Sequence, residues 1–418
     1  MSVRRLGISA RQQQAASRLL QVAIGVILLV GLLTQNLSVL VNAVLAFAIT
    51  FLPAVLKRDY RINLGAGITL WITVALFLHT LGMLGFYGEF WWYDHVTHTL
   101  SATLIAASGY VAARAVDEWS DTIHLPSRFM FVFILLFTLG LGVFWEVLEF
   151  VSRIGANLLG FDPVLVQYGL DDSLLDLLFD TLGAVIVAGF GTQGVADLAE
   201  TLSNRLDEYR GDGHTSDRTD SDRFETTNLD GIVRTEPVNA RLSWVLTSFL
   251  TLVIVGGVAA GALLPSVLVA AVLVLALVPV LAYRDPRAML PWQLLLLATL
   301  PVLGAVFASP WLASGPVTYF AVATIALVVA VELHLFTPVQ MTPGFAVLFV
   351  VVTTMAVAGV WAVGRWLTDL YFGTDLLLVP GLTDTEIETG LMWEFVYSAA
   401  AGAVAGVAFQ WGFRQRSE

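Results

Sequence analysis

Apolar residues along this chain run on without a polar face. Strand-like alternation is absent, and so is the polar stripe that a surface helix of a soluble protein would show. Runs of about 20 residues, long enough to cross a hydrocarbon core of about 30 Å, follow one another from end to end. They predict about twelve spans. In the first half these lie at 19–36, 38–56, 64–86, 95–116, 128–151 and 174–195, and in the second at 242–262, 264–283, 290–308, 316–335, 344–367 and 390–413. Membrane-barrel strands would instead alternate over segments of about ten residues. The expected fold class is therefore all-α, a polytopic transmembrane helical bundle. The opening stretch MSVRRLGISARQQQAASR is polar, and the run after it is too long for the apolar part of a cleavable leader, so it is expected to be a retained first span.

The runs are interrupted once at length. Residues 197–241 hold few large apolar side chains and many Asp, Arg, Thr and Gly, a composition that cannot bury a core and predicts a disordered linker. On either side the chain resembles itself at an offset of about 220 residues. Arg18-Leu-Leu and Arg241-Leu-Ser open the first helix pairs, which close in the charged turns 57–61 and 283–287; HVTHTLSATL at 95–104 faces PVTYFAVATI at 316–325, and VFWEVLEF at 143–150 faces GVWAVGRW at 359–366. The expected organisation is two tandem six-helix repeats, 1–196 and 242–418, around the linker. An even number of spans per half would set both the same way up.

Composition agrees with a bilayer protein: 57% of residues are hydrophobic and 13% charged, whereas a soluble domain needs about 25% charged residues. There is no cysteine, which excludes disulfides and thiolate metal sites. Acids outnumber bases 33 to 21 and Lys57 is the only lysine, a balance of the kind salt-adapted archaea use and one that argues against a nucleic-acid partner. Arg4, Arg5, Arg11, Arg18, Lys57, Arg58, Arg61, Arg114 and Arg128 fall in loops on one predicted side, and Arg153 alone in those on the other. By the positive-inside rule the termini and linker are cytoplasmic, and the protein is a multi-pass protein of the cell (plasma) membrane.

On that topology the polar residues of the first half gather at the outer ends of three spans. Asp94 and His98, four apart, share a helix face; Glu146 and Glu149 are three apart; Asp172, Asp176 and Asp180 step into the sixth span at intervals of four. Ionisable groups inside a span cost about 2.5 to 3.5 kcal/mol each and normally face a partner, a cavity or an ion. Carboxylates with an imidazole on facing helices are how bundle metal sites are assembled, and oxygen-rich ligation with His suits Mg, Mn, Zn or Fe. The alternatives are a network of buried salt bridges, for which Arg153 is the obvious cation, and a proton relay without metal. His95 is read as an interface residue beside Trp91, Trp92 and Tyr93, with a second imidazole ligand as the alternative; His79 is read as a hydrogen-bonded packing residue. Glu332 and His334 are expected to snorkel or cap at the end of the tenth span.

The run YDHVTH, then WEVLEF, then GLDDSLLDLLFDTLGA resembles the YjdF-like family of inner-membrane proteins over about 64–195. That family's pattern is Asp-x-x-x-His, Trp-Glu-x-x-Glu and an Asp-rich helix start ending in Leu-Gly-Ala. The resemblance points at the same Asp94, His98, Glu146, Glu149, Asp172, Asp176 and Asp180, with one departure, since Asp171-Asp172-Ser173 stands where Asp-Thr is expected. It implies no reaction. In the second half the aligned positions are Gly315, Tyr319, Ala362 and Arg365, so that half has lost the cluster, and Arg365 is expected to pair with Glu394 or Glu388. No nucleophile motif, phosphate-binding glycine loop or nicotinamide fingerprint appears. Three functions stay open: a membrane-embedded metal-dependent hydrolase, a transporter or cation-handling protein, and a non-catalytic binding or assembly protein.

Overall fold

The structure, a computed structural model, describes residues 9–120, 122–213, 236–307, 309, 311–312 and 314–414. Among these, regular structure is helical, with one isolated antiparallel bridge between His124 and Gln340. The fold is a polytopic all-α bundle. Its helices are α1 (Ala10–Thr34), α2 (Leu37–Asp59), α3 (Gly65–Glu89), α4 (Trp91–Trp119), α5 (Ser127–Leu159), α6 (Leu170–Gly191) and α7 (Ala196–Gly213), then α8 (Pro237–Ala259), α9 (Leu263–Tyr283), α10 (Trp292–Val306), α11 (Gly315–Phe336), α12 (Pro343–Phe372) and α13 (Asp384–Arg414).

Eleven described helices are long and apolar enough to cross a membrane, one fewer than expected. The exception is α10, where 290–308 was expected to span. It has 15 residues, about 22 Å, because Pro291 precedes it and the helix ends at Val306. The expected linker also changes at its start. Ala196–Gly213 is helical, with Val195, Ala199 and Ser203 buried at intervals of four and Asp197, Glu200 and Asn204 exposed, so a segment too polar for a core of its own folds by laying one face on its neighbours. Residues 214–235 lie outside the described residues.

Local signals start the first helices. The Ser9 side chain accepts from the Gln12 amide while Gln12 accepts from the Ser9 amide, closing a capping box on α1. Asn36 accepts from the Val39 amide at 3.0 Å and caps α2. Near its end α3 passes through a π turn at Gly82–Phe86, where Gly85 takes φ +116°, a conformation few other residues adopt. This turn lays the Tyr87 ring over Gly82.

The chain forms two compact units, one from Met1–Ser120, Met130–Gly213 and Gly359–Met392, the other from Asp121–Phe129, His214–Ala358 and Trp393–Glu418. In the first, α4 packs along α6 and α7, and α1 against α2 and α3. In the second, α8 packs on α9 and α10 around Ala240, Ala276, Met289 and Leu290. The buried Asn239 holds the turn before α10, donating to the Leu290 carbonyl at 3.2 Å and accepting from the Trp292 amide at 3.0 Å. His334 accepts from the Met341 amide at 3.1 Å, as a capping residue would. Glu332 does not snorkel: it is buried, and its Oε1 has no hydrogen-bond partner.

Among the glycines of the first unit, Gly183 of α6 stands nearest to the backbone of a neighbouring helix. A β-carbon there would stand 2.6 Å from the Thr99 carbonyl oxygen and 2.7 Å from the Ala102 β-carbon, both on α4. Backbone cannot yield as a flexible side chain can, so Gly183→Ala is expected to cost about 1 to 3 kcal/mol. Thermal unfolding in detergent should show a lowered midpoint for this variant and none for Gly155→Ala, whose β-carbon would meet nothing within 4 Å.

Candidate functional site

Two helix starts bring the polar residues together. Phe90 is extended, and α4 begins at Trp91, which sets Asp94 in the first turn, where backbone N–H groups favour a carboxylate. His95 and His98 lie three apart and Asp94 and His98 four apart, so both histidines and Asp94 border one strip of α4. On α6, Asp172, Asp176 and Asp180 follow at one-turn intervals. The Gly183 contact fixes the register of the two strips, reinforced by Thr99 Oγ1 donating to the Phe179 carbonyl at 3.3 Å.

In that register the His98 ring sits among three carboxylates. Its Nδ1 is 3.3 Å from Asp180 Oδ1, and its Nε2 is 3.6 Å from both Asp94 Oδ1 and Asp176 Oδ2. An ionised Asp180 only accepts, and the Nδ1–H then donates to it. In that tautomer a neutral ring turns the Nε2 lone pair toward Asp94 and Asp176, whereas a protonated ring would donate to them. Asp176 turns its other oxygen toward His95, with Oδ1 3.7 Å from His95 Nδ1. Neither of these two atoms makes a hydrogen bond, and Asp176 is only 3% exposed.

The donor atoms of Asp94, His98 and Asp176 all lie within 4.8 Å of one another, so this buried trio could hold a metal ion. For ligand bonds of about 2.0 to 2.2 Å in a tetrahedron, donors stand about 3.3 to 3.6 Å apart. The 3.6 Å separations of His98 from the two carboxylates fall at the upper end of that range, and all three donors lie within 4.8 Å of one another. Asp180 on the far nitrogen of His98 is the carboxylate–histidine arrangement that orients a ligating imidazole.

The other candidates take different places. Asp172 and Glu149 line a cavity that the trio also borders. Glu149 accepts from Trp145 Nε1 at 2.9 Å. Glu146 is 1% exposed and is not among the lining residues; its Oε2 has no hydrogen-bond partner. The double aspartate at the start of α6 divides its work, since Asp171 accepts from Trp366 Nε1 at 2.9 Å while Asp172 faces the cavity. Arg153, the cation expected nearest the cluster, instead pairs with Glu388 at 2.5 Å. That contact also claims one of the two partners expected for Arg365, whose guanidinium lies 5.7 Å from the centre of the Trp361 ring.

His95 lies inside the cluster and is buried, contrary to its reading as an interface residue. Phe179 stacks on its ring at 4.6 Å, and Trp91, the neighbour expected from the sequence, meets it edge-on at 5.8 Å. The signal was its spacing of three from His98. Tyr168, from the loop before α6, gave no signal in the sequence: it lines the cavity, and burial, then the carboxylates of Asp94, Asp172 and Glu149, raise the ionisation of its phenol above the ordinary range. His79 is a hydrogen-bonded packing residue as expected, with Tyr87 Oη at 2.9 Å and Asn42 Oδ1 at 3.2 Å.

Residues 16–195 match the model of a family described as "Predicted membrane protein (DUF2238)". This agrees with the resemblance drawn from the three motifs and extends it toward the N terminus. Residues 227–289 match a second, described as "Domain of unknown function (DUF8268)". A curated protein of Thermotoga maritima, described as an uncharacterized protein, is 28% identical over 145 residues, which cover 33% of this chain and 68% of that one. No solved structure matches.

The engagement of Arg153 has a measurable consequence. Arg153→Met leaves Glu388 buried without its cation and is expected to cost about 3 kcal/mol, the low end for half of a buried pair, because the arginine is partly exposed. A double-mutant cycle with Glu388→Gln, read by thermal unfolding, should recover most of that loss. If the two losses simply add, the pair does not act as a unit.

Proposed function

We propose that the first unit binds one divalent cation through Asp94, His98 and Asp176, with Asp180 orienting His98, and that this site serves a membrane-embedded, metal-dependent hydrolase. The observation that supports this reading is the convergence of Asp94 Oδ1 and Asp176 Oδ2 on His98 Nε2, each at 3.6 Å, with no arginine or lysine among the described residues that line the cavity. Buried acceptors that face only one another are destabilising, and a cation at their centre reverses the sign. His with carboxylates suits Zn, Mn or Fe more than Mg, which prefers oxygen alone.

A cation there would lower the pKa of a bound water toward neutrality and polarise a substrate oxygen. Glu149 and Asp172 line the same cavity as the trio and would set two further carboxylates beside such an ion. Glu146 and His95 are buried and do not line the cavity. By the arginine asymmetry of the loops, the site opens at the outer face of the cell membrane and the termini are cytoplasmic. The second half, related to the first by duplication, serves as scaffold.

Elemental analysis after loading with each metal in turn and exchange through detergent tests the reading. The wild type should retain about one ion per chain, and His98→Ala and Asp176→Asn should retain almost none. Asp180→Asn should bind about 10 to 100-fold more weakly, as loss of an orienting partner does. A wild-type protein that holds no ion under any loading, while its helical circular dichroism stays intact, sinks the proposal.

A further inference from the structure

The cavity beside the trio is larger than a water-activating site needs. Its volume is about 860 Å³, within the range of about 300 to 1,000 Å³ typical of small-molecule pockets. On α4 its wall runs from Asp94 past Ser101 and Ile105 to Ala112, a rise of about 27 Å, close to the full thickness of a hydrocarbon core. α3 lines it over a similar length, from Ile68 to Tyr87. At the end away from Asp94, Val195, Leu198 and Leu202, before and on α7, complete the wall. The charged side chains of the lining, Asp94, Glu149, Asp172, Asp176 and Asp180, all belong to one end, as does His98. Apart from Asn42 and His79, which bond to each other, and scattered hydroxyls, the rest of the wall is apolar and would solvate a hydrocarbon chain.

The polar end selects the head. With a metal on Asp94, His98 and Asp176, the carboxylates of Glu149 and Asp172 remain on the wall, and no arginine or lysine among the described lining residues answers them. Aromatic rings stand beside them: Trp145 donates to Glu149, and Tyr87 and Tyr168 lie 6.2 Å apart. Carboxylates with aromatic faces are the setting in which ammonium groups bind, through charge and cation–π attraction together. A phosphate or carboxylate head would meet like charge.

We infer that the ligand of this cavity is a long-chain amphiphile with an ammonium head, its head held by Glu149, Asp172 and the rings, and its chain laid along α3 and α4. The inference deepens the metal-site reading and rests on it for the division of the carboxylates.

Native mass spectrometry of the full chain in maltoside detergent, with metal content measured on the same preparations, tests it using hexadecylamine, hexadecanol, hexadecyl phosphate and hexylamine as probes. Hexadecylamine should bind at one per chain, about tenfold or more tighter than each of the others, since both the head charge and the buried chain contribute. Glu149→Gln with Asp172→Asn should erase the preference over hexadecanol. Ile105→Trp should erase the preference over hexylamine while the metal stays; Ile72→Trp serves as a second filling variant should the first be polydisperse. Equal binding of all sixteen-carbon heads, as for a groove that takes any bilayer lipid, overturns the inference, and so does tighter binding of the phosphate or an unchanged chain preference in both filled variants. Amine selectivity in a protein that never holds metal would overturn the metal reading alone; stoichiometric metal without amine selectivity would overturn this inference alone.

Discussion

The site depends on a contact that contains no functional group. At Gly183 the backbone of α6 comes against the Thr99 carbonyl and Ala102 of α4, closer than any side chain would permit. Without aqueous solvent to drive helices together, association in a bilayer rests on this kind of close packing at small residues. Gly183 lies three residues beyond Asp180, and Ala102 four beyond His98, so the packed turn and the polar turn are consecutive on both helices. A slip of one residue would rotate the aspartates away by about 100°. The small residue therefore fixes which carboxylate oxygen meets which imidazole nitrogen.

The polar turn, in contrast, does not stabilise itself. His98 makes a hydrogen bond with Asp180, and Asp176 keeps an oxygen without a hydrogen bond at 3% exposure. The arginine that could have neutralised the cluster is held by Glu388 instead. Packing imposes this arrangement of acceptors, and such local conflict within an otherwise consistent fold is where function is expected. The same packing surrounds the cluster with an apolar shaft, so charge and hydrocarbon surface meet at one end of one cavity.

Much of this was legible in the sequence, for identifiable reasons. Continuous apolar runs gave eleven of the expected spans because length and hydropathy are local properties. Asp94, His98, Asp176 and Asp180 were legible because helical spacing alone puts them on shared faces. The role of His95 was not, because a residue one position from Asp94 has its direction decided by Asp176 and Phe179, which come from a different helix. Arg153 was misjudged for a like reason: its partner lies 235 residues away. The early part of the linker was read as disordered because α7 carries too little apolar surface to fold alone, and only its neighbours supply the rest.

α10 has a consequence that reaches past the protein. Its fifteen residues cover about 22 Å where the hydrocarbon core measures about 30 Å. Lipid beside a short helix must thin, tilt its chains or let headgroups sink, at a cost of fractions of a kcal/mol for each ångström of mismatch. The folded protein and the surrounding membrane thus share one elastic energy. Wherever α10 meets lipid, acyl-chain length becomes a variable of the protein's own stability, set against eleven longer helices that suit a core of full thickness.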